Sequence, residues 1–453
     1  MEITKDPIPE LIRKIAIPAS VGFFFNTMYN VVDTWCAKLI STEAQAALAL
    51  SFPIFFIIIA MGTGIAQGST ALISNALGAK DHDKAQLYSL QAISFGVLFS
   101  LILTVFGLWS TPWMFRYLGA EGGYLQISVD YMNVILLGTV FFLAQSILNA
   151  SLNAQGDTKS FRNLLIVGFF LNIVLDPWFL FGGFGLPAMG IKGIALATVV
   201  IQVIGTVYLV GKLSKTELWR DFHPSCFVPK PKVFREIAAQ GFPASLNVAT
   251  IALGIFVITK FVSHFGKEGV AAYGVATRVE QIVLMPAMGL NIAVLTLVGQ
   301  NNGARRFDRV RETWATSLKY GVIITLAGSL AIFFGGRWMM EFFSEDPEVV
   351  RIGVKYLRIA AITLCAYVFL FQTVYMLQGL KRPMDAIWIG IYRQIVAPCV
   401  IFWLLAFELD WKLDGIWWGV FLVTWSAALV TIWFGQRTLR EVEAGETGAS
   451  NPE

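Results

Sequence analysis

Twelve long apolar stretches, separated by short polar breaks, run through the chain at about 15–39, 46–76, 89–109, 126–153, 161–182, 189–211, 236–263, 270–299, 314–335, 350–379, 384–406 and 415–436. A helix needs roughly 20 residues to cross the hydrocarbon core, so each stretch predicts a membrane span. The longer ones predict tilt or extension past the bilayer. A transmembrane barrel would instead show strands of about ten residues with strict alternation, and the chain has none of that pattern. Between the sixth and seventh stretches lies a longer polar segment, Lys212 to Arg235, with Pro224, Pro229 and Pro231. Its composition suits an extended connector. The expected fold is therefore all-α and integral to the membrane. It has an N-terminal six-helix lobe (1–211), a linker (212–235), a C-terminal six-helix lobe (236–436) and a polar tail (437–453).

The two halves repeat. Pro18-Ala19-Ser20 recurs 225 positions later as Pro243-Ala244-Ser245. At the same offset Gly78-Ala79-Lys80 returns as Gly303-Ala304-Arg305, Asp83 as Asp308, Trp113-Met114 as Trp338-Met339, and Tyr131 as Tyr356. Matches at one offset, each at the corresponding point of a span or loop, mark an internal duplication. Six spans per half is an even number, so both halves enter from the same side. The repeat is parallel, with its pseudo-two-fold along the membrane normal, as in transporters that move by rocking two bundles.

Composition agrees with the pattern: 56% of the 453 residues are hydrophobic and only 14% charged, where soluble domains carry about 25%. The net charge of +4 gives no sign of a nucleic-acid partner. With the N-terminus placed in the cytoplasm, inner segments hold roughly 22 of the 34 lysines and arginines and outer ones about 10, so both termini are expected inside. The opening MEITKDPIPE is no cleavable signal, which leaves the first span as the targeting signal. Cys36, Cys226, Cys365 and Cys399 are scattered without metal-ligand spacing and read as free thiols. No GxSxG, P-loop or histidine cluster is present. The expectation is no catalysis, no cofactor and no ATP hydrolysis, with an ion gradient as the energy source for any pumping.

Candidate chemistry concentrates in the first half. In the first span Asn26, Tyr29, Asn30 and Asp33 recur at spacings of three and four and share a helical face. A carboxylate that deep costs several kcal/mol unless it faces a cavity, a partner or an ion. Asp176 on the fifth span is the second such acid, with Asn172 one turn before it. At about 1.5 Å per residue both acids fall in the outer half of the bilayer, where Tyr131 and Thr198 reach similar depths. Two carboxylates with amide and hydroxyl oxygens form a candidate proton or hard-cation site, and paired carboxylates in low dielectric resist ionising together. The alternatives are structural: Asp33 held by a neighbouring helix, and Asp176 serving backbone freed by Pro177. Pro18 lies fifteen residues before Asp33. With Gly22 between them, protonation of Asp33 could bias a bend there. In the second half Glu280 and Arg393 are expected to form an interhelical ion pair, with a weaker case for a role in coupling or substrate binding.

YNVVDTW at 29–35, the GAK and GAR loops, QGDTKS at 155–160, NIVLDP at 172–177 and YGVATRVEQ at 273–281 together resemble the multidrug and toxic compound extrusion (MATE) transporters over essentially the whole chain. The acids are similar to those of the DinF-like subfamily. The NorM-like pattern fits less, because its span-seven carboxylate is absent between Pro243 and Ser263. The resemblance implies Asp33, Asn172, Asp176 and Thr198 as proton or Na⁺ ligands, Asn26, Tyr29, Asn30 and Tyr131 lining a cavity, and Pro18 as a first-span bend. It implies a multidrug efflux antiporter of a bacterial or archaeal cytoplasmic membrane, exchanging amphipathic drugs or toxic metabolites for H⁺ or Na⁺; lipids are its other expected partners, and a monomer is the default expectation. A lipid-linked precursor flippase and a membrane-embedded transferase are the competing readings.

Overall fold

The computed structural model describes residues 1–183, 185–219 and 224–449. The helices run in the order α1 (Ile8–Ile40), α2 (Thr42–Gly78), α3 (His82–Tyr117), α4 (Gly122–Leu137), α5 (Thr139–Ala154), α6 (Lys159–Phe181), α7 (Ile191–Leu213), α8 (Pro231–Val262), α9 (Lys267–Gly303), α10 (Phe307–Phe343), α11 (Pro347–Gly379), α12 (Pro383–Ile391), α13 (Ala397–Trp403) and α14 (Lys412–Ala449). Among the described residues eleven helices are long and apolar enough to cross a membrane. The pair α4–α5, bent by 45° at Gly138, supplies the twelfth span. The last span but one is α12 and α13 joined through π-helical turns at Tyr392–Val396 and Leu404–Glu408.

The duplication seen in five short matches extends to the helix limits. α2 and α9 begin and end at positions with the same 225 offset, and so do the start of α4 with that of α11 and the end of α5 with that of α11. The turns repeat as well. Lys80 and Arg305 both take positive φ, at 58° and 55°. In the first, the N–H of Asp81 reaches the Ala76 carbonyl and that of Lys80 the Leu77 carbonyl. Arg306 and Arg305 make the same two bonds to Asn301 and Asn302. This is the Schellman closure that satisfies the last helical carbonyls. Asp81 caps the following helix by accepting from the Lys84 N–H at 3.0 Å.

Contacts divide the chain into two units, Val21–Ser245 and Met1–Ser20 with Leu246–Glu453. The division drawn at the 212–235 linker therefore falls elsewhere. The linker and the first part of α8 belong with the first half, and the first 20 residues belong with the second. Both breaks lie just after the repeated Pro-Ala-Ser.

In unit Val21–Ser245, α2 meets the start of α8 backbone to backbone. A Cβ on Gly64 would collide with the main chain of Ser245, and one on Gly68 would stand 2.6 Å from the Gly241 nitrogen. Small residues four apart permit this approach in a membrane helix. The Ser245 hydroxyl donates to the Met61 carbonyl at 3.3 Å. The end of the linker is held by buried Gln91, which donates to the Cys226 and Val228 carbonyls and accepts from the Lys230 N–H.

The second unit repeats the device by itself. A Cβ on Gly289 would collide with Ala16 and Ser20, and the Ser20 hydroxyl donates to the Pro286 carbonyl at 2.9 Å. Gly64 and Gly289, Ser245 and Ser20, Met61 and Pro286 are pairs at the one offset. Ile8, Leu11, Ile12 and Ile15 bury against Leu290, Ala293 and Leu297. Arg309 holds the preceding segment by donating to the Ile3 and Asp6 carbonyls. Deeper in this unit Tyr273, Tyr356 and Trp417 pack ring to ring.

Candidate cation site

Two helices of unit Val21–Ser245 place the acids, and two more border them. α1 carries Asp33, and α6 carries Asn172 and Asp176 one turn apart on one face. α7 presents Thr198, and α4 presents Tyr131. Asn172 and Asp176 are fully buried, Asp33 is 8% exposed, and Thr198 and Tyr131 are 4% and 5% exposed. Apolar side chains seal the cluster: Leu180 lies one turn beyond Asp176 and Ile194 one turn before Thr198, both buried in a core shared with Ile54, Ile135 and Leu143.

The Asn172 side-chain amide donates to Asp33 Oδ1 at 2.9 Å. That bond fixes the orientation of the amide and leaves Asn172 Oδ1 as an acceptor. Neither this oxygen nor either carboxylate oxygen of Asp176 accepts a well-formed hydrogen bond, and all three are buried. Asp33, Asn172 and Cys36 approach Asp176 as its weaker partners, with Tyr29 and Tyr131 near by. The Asp176 oxygens bond no backbone group, so the carboxylate does not serve the main chain loosened by Pro177. A buried acceptor without a donor costs about 1–3 kcal/mol, and three of them together call for a positive species. The donor set is two carboxylates, an amide oxygen and a hydroxyl, all hard oxygens. Thr198 donates its own proton to the Ile194 carbonyl at 3.1 Å, which leaves its lone pairs free to accept. The Tyr29 hydroxyl is buried beside Thr198 and has Asp33, Asp176 and Tyr131 about it.

Two expected neighbours stand apart. Asn26 and Asn30 are exposed, and the Asn30 amide donates to the Asn26 carbonyl at 2.9 Å along the helix. Pro18 lies within an unbroken α1, two residues before the break between units. Cys36, a free thiol as the sequence reading has it, belongs to the cluster: it is fully buried three residues past Asp33 and is one of the groups facing Asp176. Its spacing from Asp33 was the available signal.

The Glu280–Arg393 ion pair does not form. Glu280, buried on α9, accepts a hydrogen bond from the Tyr356 hydroxyl at 3.0 Å. Arg393 instead lies over the rings of Tyr367 and Phe371, 4.9 and 5.8 Å from their centroids. The cause is local: Arg393 sits in a π-helical turn, whose extra residue re-aims the side chains an α-helical count would place.

The second unit has no counterpart of the acid cluster. At the 225 offset Asp33 corresponds to Ile258, Asn172 to Ala397 and Asp176 to Ile401, all apolar and part of the packed core.

Comparison with known proteins agrees with this architecture. The MatE family profile matches residues 18–178 and again 243–403, each match opening on a Pro-Ala-Ser. A probable multidrug resistance protein of Bacillus subtilis, YoeA, is 30% identical over 361 residues, covering 77% of this chain and 74% of its own. A probable multidrug resistance protein of Thermotoga maritima, NorM, is 27% identical over 78% of this chain and 76% of its own. A solved structure of the outward-facing conformation of a multidrug resistance MATE family transporter has the same fold. Its TM-score is 0.90 at 24% identity, over 98% of both chains. The twelve spans, the exact internal repeat and the double profile match converge, and the chain belongs to the MatE family of membrane transporters rather than to any class of enzyme.

Proposed function

We propose that this transporter is a secondary active antiporter that exports amphipathic, often cationic, organic compounds by alternating access, driven by inward H⁺ or Na⁺. Its coupling ion binds at Asp33 and Asp176, with Asn172 and Thr198 completing the oxygen set. Tyr29 and Tyr131 border that site. The reading places both termini on the cytoplasmic side of an inner membrane and takes the working unit as a monomer. One observation carries it: three buried oxygens at Asn172 and Asp176 lack a well-formed hydrogen bond, beside a second carboxylate whose own partner is the Asn172 amide. A proton or Na⁺ supplies what those oxygens lack. The apolar residues at the corresponding positions of the second unit support coupling through one unit alone. Relatives named for multidrug resistance support an organic cargo. Binding of the ion in one facing lowers affinity for cargo, and its release restores it, as linkage requires.

The test uses purified protein in liposomes loaded with a cationic fluorescent dye. A pH gradient and a sodium gradient are imposed in turn, with no nucleotide present. Dye movement under one gradient is expected and names the ion. A dye distribution unmoved by either gradient would refute antiport.

A further inference from the structure

Arg393 is a cation inside a membrane-spanning segment without a carboxylate of its own. Glu280 is an acid within electrostatic reach, and it is engaged by Tyr356. Cation–π contacts with Tyr367 and Phe371 offset only part of the cost of an arginine at that depth. The Arg393 Nε is buried and donates to nothing. Beside it lies a cavity of about 30 Å³, whose lining includes Asn247, Thr250, Gln394, Leu370 and Phe371. Its walls are built closely: a Cβ on Gly390 would stand 2.7 Å from Asn247 Oδ1 and 2.9 Å from Thr250 Oγ1. The Thr250 hydroxyl is committed to the Asn247 carbonyl at 2.7 Å, and the guanidinium, which also hydrogen-bonds Tyr367, lines the cavity with its Nε unpaired.

From this geometry we infer that the cavity receives the carboxylate of an amphipathic solute. The space holds roughly two water-sized groups, which suits the two oxygens of a carboxylate and is too small for an aromatic head. A planar guanidinium fork is built for that anion and binds it bidentately. The apolar wall of Leu370 and Phe371 suits the carbon that bears it. The π-helical turn that aims Arg393 into this space is a geometry found mostly at functional sites. The cargo class is accordingly widened from cations to zwitterionic and anionic amphiphiles. This inference rests on the transport reading for its purpose, but binding needs no gradient, so its failure and a failure of coupling are separable.

The experiment measures binding of rhodamine B, which has a free carboxylate, and of its ethyl ester, which has none. Fluorescence anisotropy is read with the full chain in nanodiscs of zwitterionic lipid, and again with anionic lipid added. Wild type is expected to prefer the acid by about tenfold or more, since hydrogen bonds to a charged group are the strong ones. Arg393→Gln is expected to lose that preference while binding the ester as before, which also reports that it is folded. Arg393→Lys should keep part of the preference. Equal affinities for acid and ester in wild type would overturn the inference, and so would equal losses for both in Arg393→Gln. A preference seen in zwitterionic lipid but abolished by anionic lipid would assign the cavity to a lipid headgroup and overturn the solute.

Discussion

Asn172 is the residue that ties the candidate site together, because its amide meets Asp33 while its oxygen is left toward the remaining acceptors. Asn172→Leu keeps the volume and removes the donor. A buried Asp33 oxygen would then go unsatisfied at a cost of about 1–3 kcal/mol, expected as a lower thermal midpoint of the detergent-purified protein. An unchanged midpoint would mean that Asp33 finds another donor and that the 2.9 Å bond does not organise the site. Much of this was legible in the sequence. Helical spacing put Asn172 and Asp176 on one face, and the cost of a membrane carboxylate singled out Asp33. What spacing could not convey was which helices meet. Cys36 and the bare acceptors of Asp176 emerge only once α1, α6 and α7 are packed, while Asn26 and Asn30 share a helical stripe with Asp33 without entering the cluster.

At the scale of elements, the repeated glycine–serine contacts decide how closely helices approach. A methyl group on Gly64 would meet the Ser245 main chain as well as its hydroxyl, and the main chain cannot rotate away, so α2 and α8 must separate to admit it. Overpacking of this kind costs about 1–3 kcal/mol, and Gly64→Ala is expected to lower the thermal midpoint. Gly274→Ala is the control, since nothing lies within 4 Å of a Cβ there, and it should leave the midpoint unchanged or slightly raised. Equal effects from both would show that the close approach at Gly64 is not tight. Hydrophobic runs announced the spans well because lipid demands them. They could not announce the 45° bend at Gly138, whose counterpart Thr363 lies in an uninterrupted α11, nor the π turns around Arg393. These are backbone choices made by packing, and the error over the Glu280–Arg393 pair follows from one of them.

For the whole molecule, the duplication is precise in backbone and uneven in chemistry. The limits of α2 and α9 and the left-handed turns at Lys80 and Arg305 recur at one offset, whereas the acids do not: the first half has two where the second has isoleucines. A linker rich in proline suggested where to divide the chain, whereas contacts divide it just after the two Pro-Ala-Ser motifs. The asymmetry carries the central claim, that ion coupling resides in unit Val21–Ser245. The most direct test compares wild type with Asp33→Asn in proteoliposomes, measuring dye binding and gradient-driven dye flux on the same preparation. The account predicts that binding persists while the gradient no longer drives flux. Undiminished gradient-driven flux in Asp33→Asn would contradict it.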